Sequence, residues 1–460
     1  MGRPANRDSG LFAPERRGLT VGLLLTITLV ASEALAVVTI MPTVARDLGG
    51  LHLYGWVFSA FLLGSMVGIV VAGREADRSG PARPYVTGLL LFAAGLLVGG
   101  LAPSMQVLVV GRTLQGFGAG AVPAVAYVAI GRSLPEELRA RMMAMMSTAW
   151  VVPGLVGPIV AAVVAHLFGW RWVFIGLVPL VAVTGTLALP GLARLGRPTA
   201  MPEVEHGILD AVRTAAGAAV LVAGLTVSNP VVAVVMVVVG VVLLVPALVR
   251  LLPAGTLRAR PGLPVTILVR GLLTFAFFGA DTFVTLAVVT VRHRSVAFAG
   301  VALTCATLAW TVGAWEQARL NQVWEGRKLV RVGLTLVLVG ICGMLLVVHP
   351  RFPVEVSLAA WAVAGLGMGL AYAPTSLMML REAPAGREGW ASASLSLSDV
   401  LGAALGAGFG GAAIAISESH GWSLTAGISV AFVFPAVVAV LALGVTGRLP
   451  LNMDRAVADT

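Results

Sequence analysis

Charge is what this chain has least of. Charged residues make up 11% of the 460, where an ordinary soluble protein carries about a quarter, and that shortage argues against a water-soluble globular fold. Lysine occurs once, at Lys328, so the basic complement is almost wholly arginine. The two cysteines, Cys305 and Cys342, both lie inside apolar runs and read as small core hydrophobes, not a disulfide or a metal site. The six histidines form no metal-ligand motif with them, and neither a phosphate-binding loop nor a nucleophile motif is present. No catalytic residue, metal or cofactor is expected.

What the chain has in abundance is apolar length. Hydrophobic residues are 58% of the total. Runs of about twenty, enough to span hydrocarbon, recur from end to end. They are continuous and do not alternate with period two, which argues against a β-barrel. Spans are expected near 19–44, 54–73, 85–102, 106–130, 142–166, 171–191, 213–227, 230–249, 264–291, 297–317, 330–348, 354–379, 389–416 and 421–446. That makes fourteen. The stretch from Thr214 to Val249 is broken at Asn229 and Pro230 and reads as a tight helical hairpin; a re-entrant pair, leaving twelve true spans, is the alternative.

The net charge of +10 does not point to nucleic acid, because the arginines sit in short loops between apolar runs. With the N-terminus in the cytoplasm, only Arg46, Arg171, Arg292, Arg294 and Arg351 fall outside, while Arg112 and Arg270 fall within spans. Both termini are therefore expected in the cytoplasm, and the chain in a plasma (bacterial inner) membrane. The first run is too long for a signal peptide and closes at Pro42 and Arg46, so it reads as a retained helix.

The sequence also repeats itself. A shift of 249 lays Gly116, Gly118 and Gly120 on Gly365, Gly367 and Gly369, Arg132 on Arg381, Pro135 on Pro384 and Gly157 on Gly406. Six spans in each half make the halves run the same way through the bilayer, a parallel repeat. The expected fold is an all-α polytopic membrane protein of two parallel-repeat six-helix bundles. These are residues 1–192 and 263–460, with a two-helix hairpin and its linkers, 193–262, between them.

Against this background three carboxylates stand out. Glu33 and Asp281 lie inside spans, 248 residues apart, and so nearly match in the repeat. At 1.5 Å per residue they are about 20 Å and about 25 Å from the cytoplasmic ends of their helices, the depth at which transporters hold substrate and coupling ions. Low dielectric penalises the charged form of a carboxyl, so such a group can load a proton on one side and release it on the other. Intramembrane acids mark function by default; a structural acid bonded to a neighbouring helix is the competing reading. Asp399, about 15 Å into its span, falls opposite Trp150 in the repeat, and Ser394, Ser396 and Ser398 stand near enough to satisfy it locally. Arg112 is the natural countercharge for an acid on the first helix, unless it snorkels to the nearby external end. Arg270 lies near a cytoplasmic end and is expected to snorkel. Gln115, Tyr127, Trp150, Phe275, Phe277, Phe278 and Tyr372 are candidates for an aromatic cavity, each with lipid contact or core packing as its ordinary alternative.

Several motifs carry a resemblance. The loop after the second span holds Gly73, Ala76, Asp77, Arg78 and Gly80, followed by Arg83. Its glycines allow close packing and a turn, and its charges can latch a cytoplasmic face. This loop resembles the G-x-L-A-D-R-x-G-R-[RK] signature of the major facilitator superfamily, with Glu75 where that family prefers Leu and Pro81 and Ala82 where it prefers basic residues. Arg319, Gly326, Arg327 and Lys328 form a weaker counterpart. The segment from Glu33 to Pro42 is similar to the first-helix motif of the fourteen-helix drug:proton antiporters, and Arg112, Gln115, Gly116 and Gly118 to their fourth-helix motif R-x-x-Q-G-x-G. Gly154, Gly157 and Pro158 are similar to the fifth-helix antiporter motif, with Ala161 and Ala162 in place of its final glycines. The segment from Gly169 to Phe174 is also typical of that branch.

The resemblance implies proton-coupled efflux by alternating access, with Arg112 tuning the acid on the first helix and the fifth-helix glycines sealing the cavity. The expected partners are the lipid bilayer, protons and a hydrophobic or cationic small molecule, and the expected state is a monomer driven by the proton gradient. Export of a lipid or endogenous metabolite is an alternative, as is uptake by proton symport.

Overall fold

The computed structural model describes residues 10–134, 138, 142, 145–146, 149, 151–196, 207–227, 229–321, 323–384 and 388–450. Among these there are no strands, and fourteen helices are long and apolar enough to cross a membrane. In chain order they are α1 (Pro14–Leu48), α2 (Leu51–Ala76), α3 (Ala82–Gly100), α4 (Met105–Ile130), α5 (Val151–Phe168), α6 (Arg171–Arg194), α7 (Gly207–Gly224), α8 (Pro230–Leu251), α9 (Leu263–Val291), α10 (Val296–Leu320), α11 (Gly326–Val348), α12 (Val356–Glu382), α13 (Trp390–Ser419) and α14 (Leu424–Arg448). Helix is the form an apolar chain must take in lipid, where no water is at hand to satisfy backbone N–H and C=O groups. Starts are set locally. Asn229 accepts from the amides of Val231 and Val232 at 3.0 and 3.2 Å, with Pro230 at the first helical position, so the break between α7 and α8 is a capped helix start.

The chain forms two compact units. One takes in the chain to Ile40 and Gly64–Ile208; the other takes in Met41–Leu63 and Leu209 onward.

In the first unit α4 is the hub, and its glycines decide how near its neighbours come. A Cβ on Gly118 would fall 2.5 Å from the amide nitrogen of Phe92 in α3, and one on Gly120 would fall 2.9 Å from that of Ile69 in α2. Helix α1 meets α6 at Gly22, where a Cβ would lie 2.5 Å from the nitrogen of Ala188, and meets α3 through Thr26 and Tyr85, whose hydroxyls are 2.7 Å apart. Just beyond α4, Arg132 donates to the carbonyls of Leu195 and Gly196 at 2.7 and 3.4 Å, satisfying groups left open at the end of α6.

The second unit repeats that packing at the shifted positions. Gly367 would place a Cβ 2.8 Å from Leu336 Cβ of α11, and Gly369 would place one 2.8 Å from the nitrogen of Ala314 in α10. Each glycine thus serves the same neighbour helix as its mate 249 residues earlier. The central helix, α9, lies against α13, and a Cβ on Gly279 would sit 2.9 Å from Gly406 Cα. The last turn of α9, Ala287–Val291, is π-helical. The hairpin closes on itself where Gly217 meets Leu244 and Gly240 meets Leu221, and it reaches α13 through Val222 against Gly408 and a bond from Ser394 Oγ to the carbonyl of Leu251.

Candidate functional site

The charged groups enclosed in the first unit come from α1 and α4. Glu33 is 1% exposed and Arg112 2%. Arg112 Nη1 donates to Glu33 Oε1 and, at 3.0 Å, to Gln115 Oε1; Gln115 Nε2 completes the triangle on Glu33 Oε1 at 3.4 Å. Arg112 and Gln115 are three residues apart, so one face of α4 presents both to α1. Glu33 Oε2 is buried with no hydrogen-bond partner. Arg112 does not snorkel: its charge is spent on a carboxylate inside the unit.

In the second unit Asp281 of α9 is half-buried. Its Oδ1 accepts from Trp361 Nε1 of α12 at 2.7 Å. One turn further along α9, Thr285 Oγ1 lies 3.4 Å from the hydroxyl of Tyr54. Trp361 begins a row of rings. It stacks on Phe277 at 5.4 Å and 14°; Phe277 meets Trp310 edge-on at 5.5 Å and 89°; Trp310 meets Tyr372 at 5.5 Å. Phe278 stands beside Phe277 and Trp310. At the far end Tyr372 donates its hydroxyl to Asp399 Oδ2 at 2.7 Å. Two acids of this unit are therefore joined by a continuous aromatic track, each held at its end by the N–H or O–H of a ring.

Asp399 has a further partner. Arg270 Nε donates to its Oδ1 at 3.0 Å, and Nη1 donates to the carbonyl of Tyr372 at 2.6 Å and to Thr375 Oγ1 at 2.7 Å. The expectation that Arg270 snorkels is corrected: it is 3% exposed and turned inward, because a carboxylate, a carbonyl and a hydroxyl converge on it. The nearby serines do not serve Asp399 either. Ser398 donates to the carbonyl of Ile267 and Ser394 to that of Leu251.

Other sequence candidates are placed as follows. Phe275 faces Phe409 of α13 at 6.0 Å, away from the aromatic track. Gly73 lies in the last turn of α2, not in a loop as the sequence suggested, with open space where a Cβ would stand, while Gly80 in the turn that follows takes φ +89°. Arg78 is exposed, and Arg83 pairs with Glu75 at 3.8 Å. On α5 Gly154 and Pro158 are buried, but a Cβ on Gly157 would meet nothing nearer than Leu35 Cβ at 3.9 Å, so close helix approach is not the reason for a glycine there. Trp150 and the side chains of Asp77 and Tyr127 lie outside the described residues. Trp361, Trp310 and Thr375 were not singled out from the sequence, although the 249-residue shift carries Arg112 onto Trp361.

Fourteen apolar helices enclosing matched and unmatched charges define a multi-pass membrane transport protein. The chain belongs to the Major Facilitator Superfamily, whose sequence model matches residues 21–350. It is 28% identical, over 92% of its length and 93% of the relative's, to a protein of Mycobacterium tuberculosis named a probable multidrug-efflux transporter. It is 27% identical to an uncharacterised transporter of Escherichia coli over 88% and 90% of the two chains. A shorter stretch, 36% of this chain and 32% of the relative, is 31% identical to multidrug resistance protein 3 of Bacillus subtilis. Among solved structures the fold is similar to a POT-family peptide transporter in complex with sulfate, with a TM-score of 0.68 and 15% identity, covering 94% of each chain. It is also similar to a bacterial homologue of the lysosomal transporter Spinster, with a TM-score of 0.66 over 94% and 96% of the chains. At 15% identity these likenesses speak for the fold alone.

Proposed function

We propose that this transporter exports hydrophobic, often cationic small molecules from the cytoplasm in exchange for protons, by alternating access. The observation that carries the reading is Asp281, a carboxylate inside an apolar helix, half-buried and bordered by rings. A negative group in that setting attracts a cation and releases it when protonated. Glu33, on the first helix, is the second acid in the exchange, with Arg112 answering to its charge. The efflux names of the relatives support the direction of transport, as does the fifth-helix motif of Gly154, Gly157 and Pro158. The arginine-rich loops support a plasma-membrane protein with both termini in the cytoplasm. The segment from Gly73 to Arg83 acts as the cytoplasmic latch.

The test is cation-driven proton movement in proteoliposomes, across a panel of lipophilic cations, with wild type beside Glu33→Gln and Asp281→Asn. Proton flux driven by a cation and abolished in both variants is the expected result. Retention of pH-driven transport by both variants defeats the mechanism.

A further inference from the structure

Glu33, Asp281 and Asp399, the three acids singled out from the sequence, differ in what balances them. Glu33 faces the guanidinium of Arg112, and Asp399 faces that of Arg270 at 3.0 Å, so both carboxylates are matched. Asp281 is matched by none. Its Oδ1 accepts from a neutral indole, and its Oδ2 has no hydrogen-bond partner among the described residues. The group that bonds it is Trp361 from α12; one turn along α9, Thr285 meets the hydroxyl of Tyr54 from α2, and none of these side chains carries a charge at neutral pH.

The repeat shows how the difference arises. Shifted by 249, Arg112 becomes Trp361. Each donates a hydrogen bond to the acid on the first helix of its own half. The first unit supplies that bond with a positive charge, and the second supplies it without one. The rings beside Asp281 add chemistry of their own. Trp361 and Phe277 are buried, whereas Asp281, Phe278 and Trp310 are half-buried and keep an open side. Aromatic faces attract weakly hydrated cations, while a small ion such as sodium gains too little from them to replace its hydration.

We propose that Asp281, held by Trp361 at the end of the ring cluster of Phe277, Phe278 and Trp310, is the seat of a single lipophilic monocation, one positive centre per turnover. Trp361 sets the specificity, because its indole orients the carboxylate and leaves its charge for the ligand. The proposal rests on the export reading above and assigns the cation to Asp281, not to Glu33.

The probe is tetraphenylphosphonium, titrated calorimetrically into the full chain in lipid nanodiscs. Wild type is expected to bind, and Asp281→Asn to weaken binding at least about tenfold, the loss of about 1.4 kcal/mol. Trp361→Arg supplies Asp281 with the guanidinium that Glu33 already has, and is expected to lose affinity at least as far. Trp361→Phe, which keeps a ring without a charge, is expected to lose less than Trp361→Arg, and this order separates charge from packing. Wild-type binding that survives both Asp281→Asn and Trp361→Arg overturns the seat and leaves the export reading standing. No binding to wild type overturns the seat and the cationic part of the export reading together.

Discussion

Arg270 and Asp399 hold each other across two helices of one unit, and Tyr372 holds both: its ring lies 3.1 Å from the guanidinium carbon and its hydroxyl on the carboxylate. Three groups that would each be costly alone inside a membrane are satisfied as a set. Removing one partner of such a buried pair leaves the other uncompensated, at a cost of about 3–5 kcal/mol. Arg270→Ala is therefore expected to lower thermal stability in detergent sharply, and Arg270→Ala with Asp399→Ala to lower it by less than the two single losses added. Additive losses in a double-mutant cycle would contradict the pairing. Arg270→Lys should not restore stability, since an ammonium can neither stack flat nor fork.

For Glu33 and Arg112 stability and exchange are expected to separate. Arg112→Gln leaves Glu33 buried and unmatched, and should destabilise by about 3–5 kcal/mol. Adding Glu33→Gln removes the stranded charge and should recover much of that stability, measured by thermal unfolding. Proton exchange in proteoliposomes should stay lost in the double variant. Recovery of both would make the pair structural only.

Glu33 and Asp399 each face an arginine and Asp281 faces none, which gives a charge count for the exchange. If one proton replaces one monocation at Asp281, each cycle moves no net charge. Exchange of a monocation in proteoliposomes should then be unchanged when valinomycin and potassium impose a membrane potential. A rate that follows the imposed potential would show that further protons move.

The glycines divide into crowded and uncrowded positions. Gly118→Leu and Gly367→Leu each force a side chain into a neighbouring backbone, and overpacking of that kind costs about 1–3 kcal/mol or more. Gly157→Ala finds ordinary contact distance and should fold with the melting temperature of wild type. Comparable destabilisation at Gly157 and Gly118 would refute the division.

Much of the architecture was legible because apolar length and glycine spacing are local signals. The hairpin at Asn229 and Pro230 was readable from two residues, since a side-chain cap and a proline at the first helical position define a start without help from the rest of the fold. Gly116 to Gly120 and their mates announced the repeat; that Gly118, Gly120, Gly367 and Gly369 serve close helix approach emerged only from the fold. The site was less legible. Arg270 looked like a snorkelling residue, as its span position suggests an exit to water but says nothing of the carboxylate that α13 brings beside it. Trp361 passed unnoticed because a tryptophan in an apolar run is ordinary; its meaning lies in standing where the other half has Arg112. Gly157 carried a motif but no crowding.

Helix α8 has a consequence of another kind. Eleven of its 22 residues are valine, and several of them point outward. In water such a run favours extended structure and self-association. In hydrocarbon the backbone has no partner but itself, and the same residues must coil. The conformation of this hairpin is thus written by the solvent as much as by the chain. A detergent that strips lipid from α8 invites fibrillar aggregation, and the hairpin is where a purified preparation should begin to spoil.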